Sequence, residues 1–520
     1  MSHNYTSLKF SYDNANRFVR DIISTSFDKV VKYIFIGNSN AYANSDTLIP
    51  DIIDSVEEEK NIWNTMIAAK KISSNDVELA IPRNTWTANT IYKQFDDSVV
   101  LEDLFCNSPE CNVSSMFVIN SEGNVYKCLD NDNNSLSVTE PLGDYSSSNG
   151  FISTINNSGN RSYLWKFMYN IKDGNKFVTQ DWIPVPSGIS SQEYGSSPTN
   201  IIDGSLASIV VTANGAGYVD SNIGVTSYVS GTNIITVANT QYTNVNMYVN
   251  GTGILPKTYI TDLNPLTRQI TLSVPVSSNG SGEISLKTRA IIEGDGKNTE
   301  LEVFLDNSTV QKIAVSTIGS GYSRANVKIY GTGTGASARA ILPPKYGHGY
   351  NPALELGAKS VIINTKFGEI DSTENGMISI DTSFRQYGVL SNPHLYGNTV
   401  PLSVYSANDV ISQTLDLTLL PGSDFDLNEV VFQGLQLSNS TFSGIVHAQN
   451  SDINNVRLIN TKGVPLIGSL LKGNTTSRVV SAIKNPEFEP YSGDILYAQN
   501  ISPINRYDGQ AENIKLVLKF

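Results

Sequence analysis

Cysteine and histidine are scarce in this 520-residue chain, and the scarcity removes several chemistries at once. The three cysteines, Cys106, Cys111 and Cys128, are an odd number at spacings that match no disulfide framework. A structural zinc site takes four ligands, and the nearest histidines in sequence, His3 and His348, are remote. Free thiols in a reducing compartment are therefore expected, with no metal and no cofactor. Only His3, His348, His394 and His447 are on hand to serve as a catalytic base, and no Gly-x-Ser-x-Gly elbow supplies a nucleophile. Basic charge is short as well. Thirty-six Lys and Arg face 49 Asp and Glu, a formal net charge of −13, with 16% of residues charged. A nucleic-acid binder needs clustered cations to displace counterions from phosphates, so that class is excluded. No run of 18 apolar residues exists to span a membrane as a helix. The opening MSHNYTSLKFSYDNANRF lacks the apolar stretch of a secretory signal, so folding in the cytoplasm is expected.

What remains is rich in Asn, Ser, Thr and Gly, with 25 tyrosines. Such chains favour short strands joined by polar turns over long helices. SMFVI, NVYKCL, YLWKFMYNI, SVIINTKF and IKLVLKF read as strands, as does VVKYIFIG (30–37). Two helices are predicted. In 13–27, Phe18, Val19, Ile22, Ile23 and Phe27 recur at helical spacing behind Asp13 or Asn14 as a cap. In 54–72, Glu57, Glu58 and Glu59 suit a first turn and Lys70 and Lys71 a last one. The fold class expected is mainly β (α+β): packed sheets or a β-sandwich core with a few helices and inserted small β modules. At about 100–200 residues per domain, the length allows roughly three or four domains.

One unit occurs twice. ASIVVTANGAGYVDSNI (207–223) aligns without a gap on QKIAVSTIGSGYSRANV (311–327), pairing Gly215 with Gly319, Gly217 with Gly321 and Tyr218 with Tyr322. In each copy an alternating strand runs into a Gly-x-Gly-Tyr turn, where glycine permits positive φ and the tyrosine folds back over the hairpin. GTGTGASARAIL follows the second copy, and GSGEISLKTRAII (280–292) is its weaker echo after the first. The residues between read as a further small β module nested in the first copy. The Gly331–Gly335 run resembles a phosphate loop, but the next residues alternate as a strand up to Pro343-Pro344 and no Gly-Lys-Ser/Thr occurs. Turn glycines are the reading. Asp130-x-Asp132-x-Asn134 and Asp424-x-Asp426-x-Asn428 start like calcium loops. Ser135 and Pro141, and Glu429 and Leu435, stand where glycine and a bidentate glutamate are needed. Solvated turns are expected there.

Three further stretches carry a resemblance. YIFIGNSNAYANSD leads to IWNTMIAAKKISSNDVELAIPRNTW and IYKQFDD. VINSEGNVYKCLDN leads to YLWKFMYNI and DWIPVP. EPYSGDILYAQNISPINRYDGQAENIKLVLKF closes the chain. Together they resemble the baseplate wedge subunit family of T-even-type contractile-tailed bacteriophages, known in words as gene product eight. Tyr-Gly-His-Gly-Tyr (346–350), SVIINTKF and FRQYGVL are similar to the longer members from marine and cyanobacterial phages. The resemblance covers roughly 10–200, 345–395 and 485–520. It divides the chain into a wedge core N-terminal part (1–204), inserted repeat modules (205–342), a core continuation (343–400), an inserted small barrel or sandwich (401–484) and core-completing C-terminal strands (485–520).

The resemblance implies a homodimer that contacts other baseplate wedge proteins in the virion tail, with no catalysis and no small-molecule substrate. It also directs attention to Arg83, Trp86, Trp182, Tyr491 and Tyr497 as interface or structural residues. In IPRNTW, Pro82 ends a strand and Trp86 covers the core. Arg83 either bridges carboxylates across an interface or stays solvated or locally paired. Gly493 supplies a turn or bulge before a strand, and Tyr491 and Tyr497 pack at core or interface. A receptor- or glycan-binding tail protein is the competing reading, prompted by the Tyr- and Asn-rich modules. An enzyme acting on cell-surface polysaccharide is the third, and no clustered acids on a long repetitive face favour it.

Overall fold

The computed structural model describes residues 7–24, 30–43, 45–105, 115–142, 150–155, 161–172, 174–186, 201–367, 382–399, 410–507, 510 and 512–520. Most described residues that form regular structure are in antiparallel strands, with three α-helices among them, so the fold is mainly β. The chain divides into two compact units, Met1–Tyr12 with Ala80–Lys359, and Asp13–Leu79 with Ser360–Phe520.

Both predicted helices form, and both are displaced. The first runs Leu8–Ile23, because the buried stripe begins a turn earlier, at Leu8 and Tyr12, and continues through Ala15, Val19 and Ile22. Asp13 and Asn14 lie inside it rather than capping it, and Phe27 falls outside the described residues. The second, Val56–Thr65, starts where expected, with Ser55 Oγ accepting from Glu58 N at 3.2 Å. It stops at Thr65. Met66–Lys71 is a strand, buried through Met66–Lys70, so Lys70 and Lys71 end no helix. Lys70 Nζ instead donates to the Lys366 carbonyl. Helical propensity in MIAAKK yields to tertiary demand, since this segment lies between two partner strands.

Those partners belong to a five-stranded sheet in the order Val410–Ser412, Met66–Lys71, Lys32–Gly37, Ser383–Ser391, Asp494–Asn505. Phe35 sits opposite Gly388, where a Cβ would fall 2.5 Å from Phe35 Cζ and 2.2 Å from the Tyr497 carbonyl. Gly388 is thus the hole into which the ring fits. In the same unit Ser360–Phe367 pairs antiparallel with Glu512–Lys519, and residues Leu415–Lys484 close a six-stranded barrel around Leu417, Phe425, Val431, Phe442, Val456 and Leu471.

The other unit contains a four-stranded sheet in the order Phe117–Ile119, Asn124–Asp130, Arg161–Asn170, Phe151–Ile155. Its aromatic core holds Tyr92, Tyr126, Tyr163, Trp165 and Phe167, with Tyr163 stacked on Trp165 at 5.3 Å. Cys128 is buried in that core as a small apolar group, and burial pushes its thiol well up. Cys106 and Cys111 lie outside the described residues.

The two repeat copies share one core, which includes Ile209, Tyr218, Ile313, Val315, Tyr322 and Val327. The segment between them has a separate core built on Val249, Ile270, Ile284 and Leu286, which Ile223 at the end of the first copy joins. Thr334–Ala340 is the strand predicted after the glycine run, antiparallel to Ile209–Ala216. Gly215, Gly217, Gly319 and Gly321 all adopt positive φ. The tyrosines do something the repeat did not announce. Neither Gly-x-Gly-Tyr turn closes the expected hairpin, since Ile209–Ala216 pairs with Thr334–Ala340 and Thr309–Ser320 with Lys297–Asp306. Each ring covers a glycine pair elsewhere in the chain, Tyr218 against Gly331 and Gly333, Tyr322 against Gly294 and Gly296. The next residue completes the equivalence: Val219 N donates to Thr332 Oγ1 at 2.9 Å, and Ser323 N to Asp295 Oδ1 at 3.0 Å. The counterpart of Gly331-Thr-Gly333 is therefore Gly294-Asp-Gly296. The echo expected at 280–292 is not it, since Gly280–Lys287 pairs inside the intervening module.

A Cβ at Gly296 or Gly333 would come within 2.3 Å of the covering tyrosine ring. Gly296→Ala and Gly333→Ala are each expected to cost about 1–3 kcal/mol in urea denaturation, the range of overpacked cores. Adding Tyr322→Ala to Gly296→Ala should cost less than the sum of the two single changes. Strict additivity would show that ring and glycine do not pack as described.

Candidate functional site

Two lysines face each other across neighbouring strands of the aromatic sheet. Lys127 and Lys166 are direct register partners, 0% and 2% exposed. Like charges in such a pair repel, and burial adds a desolvation cost, so the fold has to supply an anion. Glu355 supplies it from the short helix Pro352–Glu355, whose start is capped by Asn351 Oδ1 accepting from Leu354 N at 3.0 Å. Glu355 Oε2 lies 2.9 Å from Lys127 Nζ, while Oε1 accepts from Gly349 N at 2.8 Å. His348 Nδ1 lies 3.2 Å from Lys127 Nζ and accepts from it, which leaves the ring proton on Nε2. Phe95 closes the cluster, with Lys127 Nζ 3.9 Å from its ring centre and His348 edge-on at 5.1 Å.

Tyr-Gly-His-Gly-Tyr is the device that delivers His348. Gly347 and Gly349 both have positive φ, and a Cβ on Gly347 would strike the Ile202 carbonyl at 2.4 Å. Only glycine on both sides lets the loop turn the imidazole inward. Burial pushes His348 down to about 4, helped by Lys127 and opposed by Glu355, so it is neutral at neutral pH. Burial pushes Glu355 up, but Lys127 and His348 outweigh it and hold the carboxyl down to about 2. Burial lowers Lys166 to about 8 against the pull of Glu355. The charges of Lys127 and Glu355 are spent on each other, and the imidazole lone pair on Lys127. The arrangement anchors the 346–355 segment to the sheet.

The residues singled out in sequence are dispersed. Arg83 is exposed, and its Nη1 donates to the Thr179 carbonyl at 3.1 Å. Trp86 does lie over the aromatic core, with Nε1 donating to Ser137 Oγ at 3.1 Å. Trp182 is half-buried at the start of strand Trp182–Val185, its N–H donating to Thr179 Oγ1 at 2.9 Å. Tyr491 is half exposed with positive φ, its hydroxyl donating to Asn64 Oδ1 at 2.5 Å and its ring edge-on to Trp63. Gly493, at φ 83°, makes the turn into strand Asp494–Asn505. Tyr497 and Tyr387 share Gln499 Oε1 as acceptor, each at 2.7 Å. Asp130 and Asp132 pair with Lys312, and Asp424 with Arg478, so side-chain cations sit beside both calcium-like turns.

Two loops of the barrel carry what sequence reading passed over. Gln433 clamps Leu466 at both backbone groups, donating from Nε2 to its carbonyl at 3.0 Å and accepting from its N–H at 2.8 Å. This sets the loop after Gln433 beside the loop after Gly463. Leu435 is 84% exposed, Val464 74%, Ile467 63%, and Leu466 and Leu437 about half. Five exposed aliphatic side chains on two adjoining loops are the mark of a protein contact site. Their signal in sequence is GVPLIGSLL, an apolar run interrupted by glycine and proline where a polar turn would be expected.

No family model matches the chain, and no curated protein matches it.

Proposed function

We propose that this chain is a structural subunit of a contractile phage tail baseplate wedge, working by protein–protein contact and without catalysis. The exposed aliphatic group at the barrel loops carries the contact part of the reading. The ordered motifs from YIFIGNSNAYANSD to the C-terminal EPYSGDILY segment support the wedge part. A mainly β chain stapled by a buried ionic cluster suits a part that must transmit force between neighbours without deforming. In this reading the chain forms a homodimer, and its barrel loops hold adjoining wedge proteins in a virion assembled in the host cytoplasm.

Sedimentation at micromolar concentration should give a mass near twice 56.6 kDa. A trimer would sink the wedge reading in favour of a fibre or adhesin. Leu435→Asp with Ile467→Asp should weaken capture of co-expressed wedge proteins by at least about tenfold, as truncation of central apolar anchors does, and leave the melting temperature unchanged. Undiminished capture would remove the barrel loops from the contact.

A further inference from the structure

In the unit formed by Asp13–Leu79 and Ser360–Phe520, a polar cavity of about 270 Å³ is lined by Ser39, Ser383, Asn428, His447, Asn505 and Arg506, among others. Three of these carry buried polar atoms that find no hydrogen-bond partner among the described residues: Ser39 Oγ, both ring nitrogens of His447, and Arg506 Nε. An orphaned buried group of this kind costs about 1–3 kcal/mol, so several around one cavity need a reason.

Two of them, His447 and Arg506, can be placed on the elements that carry them. His447 lies on barrel strand Phe442–Asn450, where pairing passes from Val446 opposite Leu458 to Ala448 opposite Arg457. The skipped residue is a β-bulge, and the barrel core holds its neighbour Val446 but not His447, which lies on the side of Arg457. His447 is 2% exposed, and burial with the nearby Arg457 charge pushes it down to about 4. A neutral imidazole offers one donor and one acceptor. Arg506, 1% exposed, follows strand Asp494–Asn505. Its Nη1 lies 2.7 Å from Glu512 Oε2, a close ion pair without hydrogen-bond alignment, and its Nη2 donates to the Gln510 carbonyl at 3.3 Å. The Nε side of the guanidinium is the side left over.

The unused set is dominated by donors: a guanidinium N–H, an imidazole N–H and a serine hydroxyl. It matches an acceptor-rich group, and charge-assisted bonds from arginine to an oxyanion are the strongest of their kind. The cavity holds roughly nine waters' worth of volume at about 30 Å³ each, more than one carboxylate or phosphate fills. Amides and hydroxyls of Asn428, Asn505 and Ser383 line more of it, and the Tyr507 ring, 62% exposed, belongs to the same lining. We propose that this cavity binds a small polyhydroxylated acid, a sugar acid or sugar phosphate, with its oxyanion on Arg506, His447 and Ser39 and its hydroxyls on the asparagines and Ser383. This does not depend on the wedge reading, since a structural subunit and an adhesin alike can carry such a site.

Titration calorimetry and thermal shift on the full chain test it, with galacturonate, glucose 6-phosphate, inorganic phosphate and glucose as probes. Galacturonate or glucose 6-phosphate should bind at least tenfold more tightly than glucose. Arg506→Lys should weaken that binding at least tenfold while keeping the charge opposite Glu512. His447→Phe should weaken it equally and leave the melting temperature unchanged or raised, because it removes two unsatisfied nitrogens. An oligogalacturonate separates the sources: binding it as well as the monomer assigns a glycan end, and binding only the free acids assigns a metabolite. No heat and no thermal shift with any acid at 10 mM, glucose binding as tightly as the acids, or both variants binding like the wild type would each overturn the proposal.

Discussion

Replacing Glu355 by glutamine is expected to destabilise the unit containing Ala80–Lys359 by about 3–5 kcal/mol, the cost of leaving one member of a buried ion pair alone. The change is nearly isosteric and keeps an oxygen for Gly349 N, so packing and the loop turn survive. What disappears is the carboxylate charge that lies 2.9 Å from Lys127 Nζ and 3.7 Å from His348 Nδ1. Lys127 then sits fully buried beside Lys166 with a neutral imidazole and a phenyl ring around it. Domain stabilities run at about 5–15 kcal/mol, so this one proton's worth of charge is a large share. Lys127→Met alone should be comparably harmful, because it strands Glu355. The double variant should recover much of the loss, since replacing both members of a buried pair by neutral groups is often nearly neutral. Trp86, Trp165 and Trp182 lie in this unit and Trp63 in the other, so urea unfolding followed by tryptophan fluorescence reports chiefly on the right transition. Losses that simply add in the double variant would mean the three groups do not act as a cluster.

That cluster also marks where sequence reading stopped. The strands NVYKCL and YLWKFMYNI were legible because alternation and aromatic content act locally, and both form. Their lysines were passed over. Yet Tyr-Lys-Cys and Trp-Lys-Phe each put a long cation among large apolar neighbours in the middle of a strand, where it cannot reach water. That is a request for a buried counter-ion, and the carboxylate that answers it lies 228 residues from Lys127. The repeat was legible because it is written twice. Its tyrosine-on-glycine packing was not, because each ring covers a glycine turn outside its own copy. Met66–Lys71 was misread as helix since MIAAKK has good helix formers, and only its partner strands decide otherwise. His447 carried no signal at all: GIVHAQ reads as an ordinary strand, and the cavity neighbours Ser39 and Arg506 come from elements far off in sequence.

Acid should loosen both units, and the two buried histidines set the range of their own contribution. His348 and His447 are each lowered to about 4 from an ordinary value of 6.5. Between those limits the unfolded chain takes up a proton that the folded chain refuses. Stability therefore falls as pH drops from 6.5 to about 4, and these two groups add nothing further below that. At about 1.36 kcal/mol per unit, each contributes up to about 3 kcal/mol of loss, one in each unit. His348 faces Lys127, Lys166 and Glu355, and the lysines resist a further positive charge. His447 faces Arg457. Glu355, held down to about 2, adds its own loss as pH falls from the unfolded carboxyl range near 4.5 toward that value. Urea unfolding at pH 7.5, 6.5, 5.5 and 4.5 should show this slope, and His348→Gln should flatten it only in the tryptophan-rich unit. His447→Phe should flatten it only in the other. A wild-type stability constant from pH 6.5 to 4.5, or slopes untouched by either variant, would show that the imidazoles are not held neutral by burial. The same measurement repeated with a saturating sugar acid joins this prediction to the cavity. An oxyanion on His447 would favour the imidazolium and flatten the second unit's slope without touching the first.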